Sequence, residues 1–315
     1  MTTSALDATP PAAVDAYHQR SKHRFDRYAA GPHGLDWDSQ PDPFRSFAGS
    51  PRLALPLLDA ASEPQAGYDA LYKPGGIPPQ PLHLRTLAAL LELSFGLSAW
   101  KEFGGNRWAL RCNPSSGNLH PTEAYVVVDA CAGIAAGVHH YLSRDHALEQ
   151  RCAFTPTPTP DRAAARLPAQ SCLLGMTSIH WREAWKYGER AYRYCQHDAG
   201  HAIAAVRYAA AALGWQVRLL DAWGDDEIAT LLGVDRDADF GAAEREHPDL
   251  LLQVVAAAPE ASVPTPVPDT LLAAAHAGTW LGRANVLTAP TLRRDWPAID
   301  AVAQACRKPR TAAAA

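Results

Sequence analysis

The chain has 315 residues, is 47% hydrophobic and 20% charged, and carries a formal net charge of -4. That length can bury a large core, as one large domain or two small ones, and the balance of charge excludes the basic excess expected of a nucleic-acid binder. No apolar run approaches the roughly 20 residues of a membrane span, and the opening Met1-Thr2-Thr3-Ser4-Ala5-Leu6-Asp7 has no secretory signal pattern, so a cytoplasmic protein is expected.

Six cysteines lie at 112, 131, 152, 172, 195 and 306 without a Cys-x-x-Cys pair, which reads as reduced thiols. Thirteen histidines include no His-Glu-x-x-His unit, and adjacent His139 and His140 would point to opposite faces of a strand. No metal site is expected.

In chain order, residues 1–13 are small, polar and Pro-containing, as in a disordered terminus. A helix is expected from Val14 to Tyr28. Residues 31–81 are dense in Pro, Gly, Asp and aromatics, and read as an arm wrapped on a core. Leu84, Leu87 and Leu91 place a helix over Leu82–Phe95, closed by Gly96. A Gly104-Gly105 turn leads to a polar loop and the strand Ala124–Asp129. Val138–Leu142 and Ala147–Arg151 form a hairpin through 143–146. An extended Thr-Pro stretch at 155–160 and a short helix at 163–166 precede the strand Ser171–Ile179.

A long helix then begins between Glu183 and Glu189 and ends at Leu213, with Ile203, Val206, Ala210 and Leu213 as its stripe and Gly214 as its stop. Strands Trp215–Ala222 and Leu250–Ala257 flank a short helix at Asp226–Leu232. Short helical segments near 270–276 and 296–306 close the chain. The alternation with a hairpin argues against a purely parallel sheet. Neither a Gly-x-Gly-x-x-Gly unit nor a P-loop is present.

Two stretches carry chemistry. Arg111-Cys112-Asn113-Pro114-Ser115-Ser116-Gly117-Asn118 feeds a buried strand. Pro114 fixes one φ, Gly117 can take φ > 0, and the Ser and Asn groups suit the polar edge of a planar ligand. The plainer reading is a loop whose side chains bond its own backbone. In the second stretch, Lys186 and Tyr187 stand just before Gly188 within a run of Trp, Arg, Glu and Tyr. A buried lysine–tyrosine pair suits acid–base work, whereas the plainer reading is a solvated helix start with snorkelling side chains.

The order Arg-x-x-Pro-Ser-Ser-Gly-Asn-x-x-Pro-x-Glu-x-Tyr-Val-Val, a hairpin opening Gly-Val-x-x-Tyr, then Lys-Tyr-Gly-x-Arg-x-Tyr-Arg-Tyr, Gly-His and an Ala-rich helix closed by Leu-Gly resembles the SagB-type dehydrogenases. These belong to the nitroreductase superfamily of FMN-dependent oxidoreductases. The similarity runs from about Leu82 to Ala258. It implies an α+β fold with a mixed, mainly antiparallel sheet flanked by helices, and FMN at a two-fold or pseudo-two-fold interface. It assigns Pro114, Ser115, Ser116, Gly117 and Asn118 to the flavin ring edge, with Arg111 nearby, and Gly214 to a turn near the flavin. Lys186 and Tyr187 match the pair thought to deprotonate substrate in relatives that oxidise azolines. The flavin supplies redox chemistry, and the chain a pocket and an acid–base pair.

The chain departs from the superfamily at the Arg-rich run that grips the FMN phosphate. The corresponding Tyr72–Pro78 stretch offers only Lys73, with Arg85 and Arg293-Arg294 as unmatched substitutes. The expected organisation is therefore a terminus at 1–13, an arm at 14–81, a flavin domain at 82–290 and a tail at 291–315. The expected function is FMN-dependent two-electron oxidation of a small molecule or peptide, with azoline-to-azole oxidation as the specific form. Its competitors are NAD(P)H-dependent reduction of nitro compounds or quinones, and a non-catalytic partner subunit. Pairing is expected, as a homodimer or with a related second half.

Overall fold

The computed structural model describes residues 9–60, 63–129, 131–155, 167–258, 262–266 and 268–312. The Thr-Pro stretch from 156 and the short helix expected at 163–166 lie outside the described residues, as do residues 1–8.

The helices are α1 (Pro10–Arg20), α2 (Leu84–Phe95), α3 (His180–Tyr187), α4 (Ala191–Ala212), α5 (Asp225–Leu232), α6 (Asp237–Phe240), α7 (Pro268–Ala277) and α8 (Pro297–Ala305). The strands are β1 (Phe47–Ala48), β2 (Arg52–Ala54), β3 (Leu97–Phe103), β4 (Asn106–Arg111), β5 (Thr122–Val128), β6 (Gly137–Leu142), β7 (Ala147–Ala153), β8 (Ser171–Ser178), β9 (Gln216–Leu219), β10 (His247–Val255), β11 (Thr279–Trp280) and β12 (Arg283–Ala284).

The main sheet has the order β11-β7-β6-β5-β8-β10-β9, with β2 added along β7. Its described strand pairs all run antiparallel, so the fold is α+β as expected. The period-two alternation of the strands sorts their side chains into two cores. Val126, Val128, Leu174, Met176, Leu252 and Val254 face α2 and α4. Tyr125, Val127, Leu173 and Leu251 face the other way, onto α5 and α7. On α2, Leu87, Leu90, Leu91 and Phe95 are fully or almost fully buried, each worth about 1.5–3 kcal/mol of hydrophobic stabilisation.

Three sequence expectations shift. The first helix occupies Pro10–Arg20 rather than Val14–Tyr28: Pro10 and Pro11 suit its first turn, and Ser21 closes it by donating N–H to Tyr17 O. The long helix starts at Ala191, just past the expected 183–189 window, because Gly188 at φ 54, ψ -131 separates it from a further helix, α3. A two-stranded ribbon, β3–β4, stands apart from the main sheet and turns at Gly104-Gly105, both at positive φ. The arm does pack on the core: Phe44, Phe47 and Leu55 are buried, and β1 pairs with β12.

Candidate active site

The polar loop leaves β4 at Arg111 and enters β5 at Thr122, so both ends are fixed by strands. Between them, Gly117, Asn118 and His120 adopt φ 61, 60 and 50. A left-handed backbone costs a non-glycine residue about 1–2 kcal/mol, and local bonds hold it here. Asn118 donates Nδ2–H to Ala109 O at 2.8 Å, and its Oδ1 lies 2.9 Å from His120 Nε2.

The loop is clamped from two helices. From α4, Asp198 accepts the Ser115 hydroxyl at 2.6 Å, the Ser116 N–H at 3.1 Å and the Ser116 hydroxyl at 3.1 Å. From α3, fully buried Arg182 donates Nη1–H to His120 O at 2.8 Å and pairs with Glu123. Burial raises the Asp198 carboxyl above its ordinary pKa, and the bonds from Ser115 and Ser116 pull it back down.

Lys186 and Tyr187 end α3 directly over this loop. A Cβ built on Gly117 would fall 2.5 Å from Tyr187 Oη and 3.0 Å from Lys186 Nζ. Both side chains are half-buried while Gly117 is exposed, so the pair and the loop tip share one open edge. Burial, with the Glu183, Tyr194 and Asp198 groups, pushes the Tyr187 phenol up to about 12. Tyr187 is therefore a neutral hydrogen-bond donor at physiological pH, not a phenolate. The Gly188 break that presents the pair is covered by the arm: a Cβ there would fall 2.6 Å from Gly31 Cα. Helix α1 straps the same junction, with Tyr17 donating to Glu189 O at 2.6 Å and Arg20 paired to the Glu189 carboxylate.

The residues singled out from sequence divide. Gly117, Lys186 and Tyr187 meet at the open edge, and Pro114 is exposed on the same loop. Ser115, Ser116 and Asn118 are spent on the loop's own architecture. Arg111 is also committed inward: it is 8% exposed and donates to Pro43 O at 2.6 Å, with burial lowering its pKa to about 10. Gly214 lies beyond the far end of α4 from Asp198, about 20 Å of helix away. There it lines a cleft of about 260 Å³ with Tyr72, Lys73 and Trp215, packed so that a Cβ would strike Ile77 O and Pro78 O. Arg85 is drawn toward Asp59, and Arg293 toward Glu244.

Several residues here were not read from sequence. Asp198 falls one helical step before Ala202 and Val206 on the buried stripe of α4; an acid on an apolar face was the available signal. Glu183 is fully buried, and neither of its carboxyl oxygens has a hydrogen-bond partner among the described residues. Burial and Asp198 raise its pKa well above the ordinary value, three and four residues before Lys186 and Tyr187. Beneath the loop, His140 bridges Glu123 at 2.9 Å and Glu149 at 3.0 Å. Burial opposes charge on His140, but the two carboxylates raise it to about 9. Burial likewise opposes the Glu123 carboxylate, and Arg182, His140 and Arg111 hold it down at about 2. His139, on the other face, accepts no part in this network, and no His/Cys/Asp/Glu group among the described residues is arranged to hold a metal ion.

This chain is similar to several known proteins. Over 109 residues, 32% of the chain, it is 42% identical to the trifolitoxin-processing protein TfxB of Rhizobium leguminosarum bv. trifolii, and it spans only 29% of that protein. Over 177 residues, 55% of the chain, it is 26% identical to a Methanocaldococcus jannaschii protein with a provisional nitroreductase name, covering 81% of it. A solved structure from Anabaena variabilis, also provisionally named a nitroreductase, superposes with a TM-score of 0.57 at 22% identity, covering 83% of this chain and 53% of that one. Residues 79–243, more than half of the chain, match the profile of the Nitroreductase family, and they contain the clamped loop and the Lys186–Tyr187 pair. The chain belongs to the nitroreductase family.

Proposed function

We propose that the chain is an FMN-dependent oxidoreductase of the SagB-type group that oxidises azolines to azoles on a peptide. The family is one of oxidoreductases that generally bind flavin. The observation that carries the reading is the approach of Lys186 and Tyr187 to Gly117, because it joins an acid–base pair to a loop assigned to the flavin edge. The likeness of a third of the chain to a trifolitoxin-processing protein favours a peptide substrate over a general reductant's targets.

Azoline oxidation removes one proton and one hydride equivalent. FMN, when bound, supplies the acceptor for the hydride equivalent. Lys186 Nζ, acting as the free amine, takes the proton and becomes the ammonium, and Tyr187 Oη, neutral in its surroundings, donates a hydrogen bond that orients the substrate. Burial of Glu183 behind them disfavours a second negative charge beside Asp198, whose hydrogen bonds hold Ser115 and Ser116. Exposed Gly117 leaves the loop backbone open to a flat ring, while Lys73, in the cleft beside Gly214, is the cation for a phosphate.

Pairing of two copies is part of this reading. Its support is the length of α4, which separates the Gly117 edge from the Gly214 cleft. A further support is the β3–β4 ribbon, which exposes Trp100, Phe103 and Trp108 to the extent of 45%, 81% and 39%.

One observation favours a second reading. Arg111, Ser115, Ser116 and Asn118 all spend hydrogen bonds inside the fold, as suits a non-catalytic partner subunit that keeps the family's architecture. The test is turnover of an azoline-containing peptide by the FMN-loaded protein, followed as loss of two hydrogens by mass. Conversion that needs Lys186 supports the proposal. Flavin bleaching by NAD(P)H with reduction of a nitro compound, and no peptide conversion, selects the general reductase. A colourless protein needed only for another chain's activity selects the partner subunit.

A further inference from the structure

A second recess opens at the other end of α3 from Lys186, about 9 Å away along the helix. It has a volume of about 360 Å³, within the range of small-ligand cavities. Five elements converge on it: His180 begins α3, Tyr192 and Gln196 lie on α4, Asp225 and Asp226 open α5, His247 and Asp249 lie on β10, and Asp300 lies on α8.

Its charge is one-sided. Arg307 pairs with Asp226, whereas Asp225, Asp249 and Asp300 form no ion pair among the described residues. Asp249 accepts the Ser178 hydroxyl at 2.6 Å, and Asp225 accepts the Lys308 backbone N–H at 3.0 Å. Burial, with Asp225 opposite, lifts the Asp249 carboxyl to about 7, and burial also raises Asp225. The wall is a pair of imidazoles, His180 and His247, stacked with centroids 4.0 Å apart and planes 10° from parallel. Burial lowers the pKa of both, which favours their neutral forms. His180 is only 7% exposed, and its Nδ1 has no hydrogen-bond partner among the described residues. An orphaned buried ring nitrogen on the wall of an acidic cavity is a vacancy in hydrogen bonding, which a well-packed fold rarely tolerates.

We propose that this cavity is a binding site for an organic cation, the guanidinium or ammonium head of a small amine or of a basic side chain. Such a head brings several N–H donors and one positive charge. The charge answers Asp225, Asp249 and Asp300; the donors answer the carboxyl oxygens and the imidazole; the rim ring of Tyr192 offers a cation–π face. A metal ion is the poorer occupant, because no described group of His, Cys, Asp and Glu is arranged to ligate one. The basic groups lie in the adjoining cleft, which shares His180, His247 and Asp300 with this one and carries Arg245, Arg293 and Arg294. The cation site does not depend on flavin or on Lys186.

The test is calorimetric titration of the full chain with agmatine, with capped arginine amide, and with butylurea as an uncharged control. Saturable one-site binding of agmatine is expected at about pH 8, and about tenfold weaker binding at about pH 6, where Asp249 takes a proton. Butylurea is expected not to bind. Binding of capped arginine as well admits a basic side chain of a peptide, and binding of agmatine alone restricts the site to free cations. Asp249→Asn is expected to weaken binding at least about tenfold without lowering the melting temperature at about pH 8, since it removes a carboxylate that the fold desolvates. Asp300→Asn, on the rim, is the second variant should the first fail to fold. No saturable binding, equal binding of butylurea, or unchanged affinity in both variants overturns the proposal.

Discussion

Ser115 donates a hydrogen bond from its hydroxyl to Asp198 at 2.6 Å across 83 positions of sequence, and the same Ser115 oxygen accepts the His120 N–H at 2.8 Å. One serine thus ties the loop both to itself and to α4. Bonds to a carboxylate are the stronger kind, about 1.5–3 kcal/mol each against water. Asp198→Ala is expected to destabilise the protein by about 2–4 kcal/mol and Asp198→Asn by less, because an amide oxygen keeps one acceptor. Thermal melts of the two variants check the order Ala below Asn below wild type; equal melts would detach the loop from α4.

Gly117→Ala tests the approach of Tyr187 and Lys186. The new methyl meets Tyr187 Oη and Lys186 Nζ, and the backbone stays at φ 61. A stability loss of about 1–2 kcal/mol is expected, with a much larger loss of turnover because the pair is displaced. Activity falling only in proportion to folded protein would show that the contact has no role in chemistry.

Lys186→Ala and Tyr187→Phe remove half-buried groups at the end of α3. Each is expected to melt within about 1 kcal/mol of wild type, since surface-side substitutions cost little. Lys186→Ala is expected to lose about 100-fold or more in turnover, the usual scale of acid–base catalysis. Tyr187→Phe is expected to raise KM more than it lowers kcat, if the phenol orients substrate. Wild-type rates in Lys186→Ala count against the assignment.

The buried His140 bridge predicts a pH dependence of stability. His140 is raised to about 9, above its unfolded value, so its contribution is complete below about pH 6.5 and is lost as pH rises through 9. Glu123, lowered to about 2, contributes above about pH 4.5 and loses that contribution as pH falls toward 2. The alkaline loss amounts to about 3 kcal/mol and is expected to vanish in His140→Gln, which is itself less stable at neutral pH. Denaturant titrations between about pH 6 and pH 9.5 check it; an alkaline slope retained in His140→Gln would place the proton elsewhere.

The fold was legible where periodicity carried it. The Leu84–Leu87–Leu91 stripe predicts α2, and short runs rich in apolar residues predict β5, β8 and β10, of which β5 and β8 are buried on both faces. The β3–β4 ribbon was not legible: most of its residues are exposed on both faces, so no alternation marks it. Gly104-Gly105 between two runs containing Trp and Phe was its one signal. The candidate site was half legible. Lys186, Tyr187 and Gly117 stand out as chemistry, whereas the inward turn of Ser115, Ser116 and Asn118 depends on Asp198 and Ala109, which no local pattern links to them. Gly214 was read as part of one site with the loop, and α4 holds the two apart.

In the proposed function, the Gly117 edge with Lys186 and Tyr187 forms one half of an FMN site. The most direct measurement is the absorbance spectrum and ligand mass of the purified protein, or of protein reconstituted with FMN, on samples of measured oligomeric state. Flavin bands, FMN by mass and a paired assembly are the expected result. A colourless protein that takes up no FMN as a dimer contradicts it.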